Sequence, residues 1–182
     1  MIESTAAAVT GRFAGAVAAV ADKLPWSASE PDAITLLEQD HRRFEDLLKR
    51  GEETTQRAVK ERREVLRLLT DGLTVHELLE EKLLYPALET ESTTREIAIE
   101  GFEEHHVADA ILEELHGLSP TSERWGAKFK VLKENLEHHI KEEESAMFPT
   151  ARGVMSRAEL QELGAKMVQL RAKSGKRRAR RS

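Results

Sequence analysis

Across residues 55–84 the inward-facing positions step by three and four, through Leu66, Leu69, Leu73, His76, Glu80 and Leu83. Such steps hold one face of an α-helix toward a partner. The same steps return 63 residues later as Phe129, Leu132, Leu136, His139, Glu143 and Ala146. A second stripe, Ile34, Leu37, His41, Phe44 and Leu48, has its counterpart 64 residues on at Ala98, Gly101, His105, Ala108 and Leu112. The pattern predicts a duplicated helix pair. Each pair turns one lone histidine and one histidine–glutamate couple toward the interior.

Punctuation between the stripes sets the elements. Helices are predicted over 3–23, 32–51, 55–84, 93–117, 122–147 and 157–173. The first is alanine-rich, with a thin face of Phe13, Val17, Val20 and Leu24, and "LPWSASEP" (24–31) follows as a linker. "TESTTRE" supplies Ser and Thr caps, "GLSPTSE" breaks the chain, and Ser156 with Glu159 fits a capping box. Pro86 and Pro149 are expected to end or kink their helices. The fold class is therefore all-α: an up-down-up-down four-helix bundle with extra N-terminal and C-terminal helices. The expected division is an N-terminal amphipathic helix and linker (1–30), the bundle (31–150), a C-terminal helix (151–174) and a basic disordered tail (175–182).

Composition narrows the chemistry. Cysteine is absent, which excludes disulfides and thiolate metal sites. The longest apolar run, "AGAVAAVA", is too short to span a bilayer. Glu3 and the lack of a basic leader argue against a signal peptide, so a cytoplasmic location is expected. The net charge of −5 hides a basic end: residues 171–182 carry seven Lys or Arg and no acid. Without them 21 basic residues face 33 acidic ones, a balance of −12. That end reads as a solubilising tail, with a clip for nucleic acid or anionic lipid as the alternative. No aromatic residue interleaves with its charges, so specific nucleic-acid recognition is not expected. Phosphate-binding glycine loops, nucleophile elbows and cysteine nucleophiles are missing, which argues against a kinase or a hydrolase.

The interior histidines and glutamates demand a partner. A buried, unpaired carboxylate costs several kcal/mol, and no Lys or Arg occupies a matching inward position. Metal ions resolve this. Four imidazoles and two bridging carboxylates on facing helices suit a pair of iron or manganese ions, whereas one zinc is satisfied by four ligands. The candidate ligands are His41, His76, Glu80, His105, His139 and Glu143. His105 is preferred over His106 because it keeps phase with Gly101, Ala108 and Leu112. His138 reads as solvated, and His116 as a partner of a helix C-terminus. Glu77, Glu81 and Glu144 fall at the stripe margins, where they could orient ligand imidazoles; Glu77 could also serve as a third metal carboxylate. Tyr85 and its repeat partner Phe148 read as packing residues, with a redox role for Tyr85 as the alternative. A ferritin-like set of Glu38-x-x-His41 and Glu103-x-x-His106 with Glu80 and Glu143 is a rival, but it strands His76 and His139.

"DHRRF" from Asp40, "HELLEEKLLYP" from His76, "EEHHVADAILEEL" from Glu103 and "HIKEEESAMFP" from His139 resemble the hemerythrin-like, or HHE cation-binding, family over about residues 32–150. The resemblance implies a bundle around two iron ions in an oxo- or hydroxo-bridged centre that meets O2, H2O2 or NO. It implies the ligand set His41, His76, Glu80, His105, His139 and Glu143, with manganese or zinc less favoured. Oxygen-carrying members place two histidines four apart on the third core helix and His-x-x-x-x-Asp on the last. Here Asp109 follows His105 by four, and His139 is followed by Glu143. The missing fifth imidazole speaks against reversible oxygen carriage. It leaves open positions on both irons, which favours a peroxide-consuming (catalase-like) or NO-handling oxidoreductase. The alternative is an oxygen- or iron-binding sensor or storage module without turnover.

Overall fold

The computed structural model describes residues 31–89 and 92–179. The helix expected over 3–23 and the linker up to residue 30 lie outside the described residues. Four long helices form the bundle: α1 (Ala33–Glu52), α2 (Val59–Leu79), α4 (Ser92–Gly117) and α5 (Glu123–Glu142). A short α3 (Tyr85–Leu88) extends α2, α6 (Phe148–Val154) extends α5, and α7 (Arg157–Ala179) follows. Packing runs around a ring, α1 on α2, α2 on α4, α4 on α5 and α5 on α1, as short-looped antiparallel neighbours require. No strand occurs among the described residues.

Local chemistry starts and stops these helices. Asp32 accepts from the Thr35 amide at 2.9 Å and caps α1. Ser122 does the same for α5 through Arg124, at 3.1 Å. The capping box before α7 forms in both directions: the Ser156 amide donates to Glu159 at 2.8 Å, and the Glu159 amide donates to Ser156 Oγ at 3.3 Å. α7 continues to Ala179, past the expected end at 173, so residues 175–179 are helical rather than a disordered tail. Alanine, lysine and arginine favour helix there, and a single Gly175 costs only about 1 kcal/mol.

The prolines do not end their helices. Each follows a π-turn, π1 (Glu80–Leu84) and π2 (Glu143–Met147). The Tyr85 amide reaches back five residues to the Glu80 carbonyl, and the Phe148 amide to that of Glu143. The widened turn absorbs one residue and lets Pro86 and Pro149 enter the first turn of the next segment, where a missing N–H is harmless. It also shifts the stripe by one. Leu84 and Met147 are buried, while Leu83, predicted inward, is only partly buried and Ala146 is exposed.

Two apolar clusters fill the bundle, one on each side of a polar layer. At one end Phe44, Leu48, Leu69, Leu112, Trp125 and Phe129 pack together. Gly51 leaves room there for the Phe129 ring, which a Cβ would meet at 2.1 Å. At the other end Ile34, Leu37, Leu79, Tyr85 and Phe148 are joined by Leu160, Leu163 and Met167 of α7. Gly164 permits that docking, since a Cβ would stand 2.8 Å from the Pro31 carbonyl oxygen. The buried faces of α1 and α2 are thus shared between the bundle and α7.

Candidate metal centre

The polar layer holds six side chains that are at most 4% exposed: His41 from α1, His76 from α2, Glu80 at the start of π1, His105 from α4, His139 from α5 and Glu143 at the start of π2. Ligand atoms of His41, His76, Glu80 and Glu143 lie within 4.8 Å of one another, and so do those of Glu80, His105 and His139. Glu80 belongs to both groups. His76 and His105 each approach Glu80 Oε2 through Nε2 at 3.3 Å. His41 and His139 approach Glu143 Oε2 through Nε2, at 3.1 and 3.6 Å.

Every imidazole turns its other nitrogen outward to an acid. Nδ1 of His41 meets Glu144 at 2.9 Å, and that of His105 meets Glu81 at 3.3 Å. Nδ1 of His139 meets Glu104 at 2.7 Å, and that of His76 faces Asp40 at 3.6 Å. A carboxylate against Nδ1 fixes that nitrogen as the donor and leaves Nε2 with a free lone pair pointing inward, as a metal-ligating histidine requires. The duplication shows here too: Asp40 and Glu104 precede the lone histidines, while Glu81 and Glu144 follow the inner glutamates.

Without a cation the layer is under electrostatic load. Nε2 of His41, Nδ1 of His76, Nε2 of His139, both oxygens of Glu80 and Oε2 of Glu143 are buried with no hydrogen-bond partner. Burial and the charge of Glu143 hold the Glu80 carboxyl well above the usual range. Burial acts on Glu143 in the same sense, but His139 and His41 outweigh it and keep that group ionised. Burial also opposes a charge on His139, yet Glu143, Glu104 and Glu80 raise it to about 9. His76 is lowered by burial to about 4. Convergent, unsatisfied nitrogen and oxygen atoms, with no Lys or Arg among the described residues inside the layer, fit a pair of divalent or trivalent first-row ions.

The hemerythrin HHE cation-binding domain model matches residues 32–151. The chain belongs to that family. A crystal structure of a hemerythrin HHE domain-containing protein, the Rv2633c homolog from Mycobacterium kansasii, is similar, with TM-score 0.67 and 29% identity, covering 79% of this chain and 89% of that one. No curated protein matches the chain. Within this hemerythrin-family chain α7 lies beyond the matched residues, although Arg171 reaches back from it to Asp40.

Set against the sequence, the hemerythrin fold gathers all six candidate ligands into one layer. His106 and Glu103 are both 78% exposed, which removes the ferritin-like set. His138 is exposed, and His116 is exposed with Nε2 2.9 Å from Thr70 Oγ1. Glu81 and Glu144 are half-buried and meet the imidazoles of His105 and His41. Glu77 is buried rather than marginal; burial raises it to about 7, and its Oε1 has no partner.

Two features escaped the sequence reading. Asp40 and Glu104 brace His76 and His139, and the signal was an acid directly before each lone histidine. Tyr85 is more than packing: its hydroxyl donates to Glu143 Oε1 at 3.2 Å and lies 3.3 Å from His105 Nε2. Gly101 makes the space, since a Cβ there would stand 2.6 Å from the Tyr85 oxygen. Phe148, its repeat partner, stacks on His41 at 5.5 Å and brings no hydroxyl.

Proposed function

We propose that this chain is a cytoplasmic non-haem di-iron protein whose centre reacts with peroxide, dioxygen or nitric oxide, with peroxide consumption the favoured activity. The observation that carries the reading is the pair of two-histidine groups joined through buried carboxylates. His41 and His76 would hold one ion and His105 and His139 the other, with Glu80 and Glu143 between them. A di-iron pair supplies a reversible two-electron couple, which suits peroxide and nitric oxide chemistry.

The chain's own groups set the conditions. Glu144, Glu81 and Glu104 hold the imidazoles of His41, His105 and His139 in one tautomer, and Asp40 faces that of His76. The two apolar clusters exclude bulk water from both ends of the layer, which strengthens every charge interaction within it. Burial and the charges of Glu80 and Glu143 raise the Tyr85 hydroxyl, so it keeps its proton and can donate on the side of His105. Asp109, four residues after His105, is exposed and adds no imidazole.

The test is oxygen release from peroxide by the iron-loaded protein, followed with an oxygen electrode. Sustained release that is lost in His76→Ala supports the activity. A protein that holds two irons yet ignores peroxide and nitric oxide is a sensor or store instead.

A further inference from the structure

The four outer carboxylates differ in company. Asp40 is gripped by Arg171 and approached by Arg43, and Glu144 is gripped by Arg42. On the other side no Lys or Arg among the described residues pairs with Glu81 or Glu104. The centre therefore has one face closed by arginines and α7, and an opposite face left acidic.

On that face Glu104 is turned between two imidazoles. Its Oε2 accepts from His139 Nδ1 at 2.7 Å, and its Oε1 lies 3.9 Å from His138 Nε2. His138 Nε2 is also 3.2 Å from Glu142 Oε1, one helical turn along α5. Ligand atoms of Glu104, His138 and Glu142 all fall within 4.8 Å of one another. A plain i,i+4 ion pair would account for His138 and Glu142, at about 0.3–0.5 kcal/mol. Glu104, 16% exposed, joins that pair to the buried layer, since one of its oxygens faces His138 and the other accepts from His139.

The geometry points to a surface capture site for a divalent first-row cation at Glu104, His138 and Glu142, through which ferrous iron loads the buried pair. One nitrogen and two carboxylate oxygens suit such an ion, with water completing its shell and keeping the binding weak enough to release it. Glu104 is the group common to the capture site and the brace of His139, so the surface site and the buried pair share one side chain. The loading role rests on the di-iron reading; the surface site does not.

The test uses the full chain, stripped of metal, and the double variant His138→Ala/Glu142→Gln, which leaves Glu104 in place. Bound Mn(II) is counted by electron paramagnetic resonance, and Fe(II) uptake is timed by stopped-flow absorbance. The parent is expected to bind one weak ion beyond the buried pair. The variant is expected to lose it and to fill the pair roughly tenfold more slowly, to the same final content. Equal ion counts and equal uptake rates overturn the proposal while leaving the centre intact. A surface ion that the variant loses, in a protein whose buried layer takes no metal, sustains the capture site and refutes the centre. His138→Asn alone repeats the comparison if the double variant misfolds.

Discussion

Arg171 of α7 forms a two-point ion pair with Asp40 of α1, and Asp40 faces Nδ1 of His76 at 3.6 Å. The terminal helix thereby reaches the buried polar layer through one carboxylate. Burial alone would raise Asp40, but His76 and Arg171 outweigh it and keep the group ionised. Asp40→Asn is expected to weaken metal binding by about 10–100-fold, as loss of an imidazole's brace does elsewhere. Arg171→Gln is expected to give a smaller loss in the same direction, since this arginine is partly exposed. Competition with a chromophoric chelator measures both. Full affinity in Asp40→Asn contradicts the bracing role.

The neighbouring histidines of α4 separate cleanly. His105 is 4% exposed within the layer, whereas His106 is 78% exposed. His105→Ala is expected to cost at least one metal ion per chain. His106→Ala should keep both and shift stability by less than about 0.5 kcal/mol. Elemental analysis of the two variants decides it.

The pH response of the metal-free chain follows from two histidines of opposite sign. His139 is raised to about 9, so its stabilisation is complete below the unfolded value near 6.5 and is lost as pH climbs through 9. Glu80 and Glu77, also raised by burial, act in the same sense, starting from the unfolded carboxylate range near 4.5. His76 is lowered to about 4, so stability falls as pH drops from about 6.5 toward that value. The metal-free protein is expected to lose ~2–3 kcal/mol as pH climbs from about 6.5 through 9. Metal takes neutral imidazoles, so the loaded protein should hold its melting temperature to pH 9. Melts of both forms across this range check the pattern; a metal-free Tm that rises steadily to pH 9 contradicts it.

Tyr85 and Phe148 make the two halves of the layer unequal. Phe148 shows that the repeat accepts a ring with no hydroxyl, so Tyr85→Phe should fold and lose only about 1 kcal/mol. Because the hydroxyl lies within hydrogen-bonding distance of Glu143 and His105, the optical spectrum of the loaded variant should nevertheless shift. An unchanged spectrum would return Tyr85 to a packing role.

Much of this was legible in the chain. Steps of three and four placed the helices, and the 63-residue repeat aligned His76 with His139 and Glu80 with Glu143. A charged pair inside a leucine stripe is conspicuous because burial without compensation is costly. The π-turns were not legible. A helical pattern carries no mark of one absorbed residue, so Leu83 and Ala146 were placed inward where Leu84 and Met147 belong. Asp40 and Glu104 were missed for a related reason. An acid beside a ligand looks like a solvated margin until the facing helix brings His76 or His139 to it.

Metal content with an optical spectrum, on protein purified without chelator, tests the centre most directly. Two irons per chain are expected, with charge-transfer bands that azide or peroxide alters. Both the metal and the bands should vanish in Glu80→Leu/Glu143→Leu. A chain that arrives metal-free, takes up no iron, and melts at the same temperature with or without the two carboxylates contradicts the account.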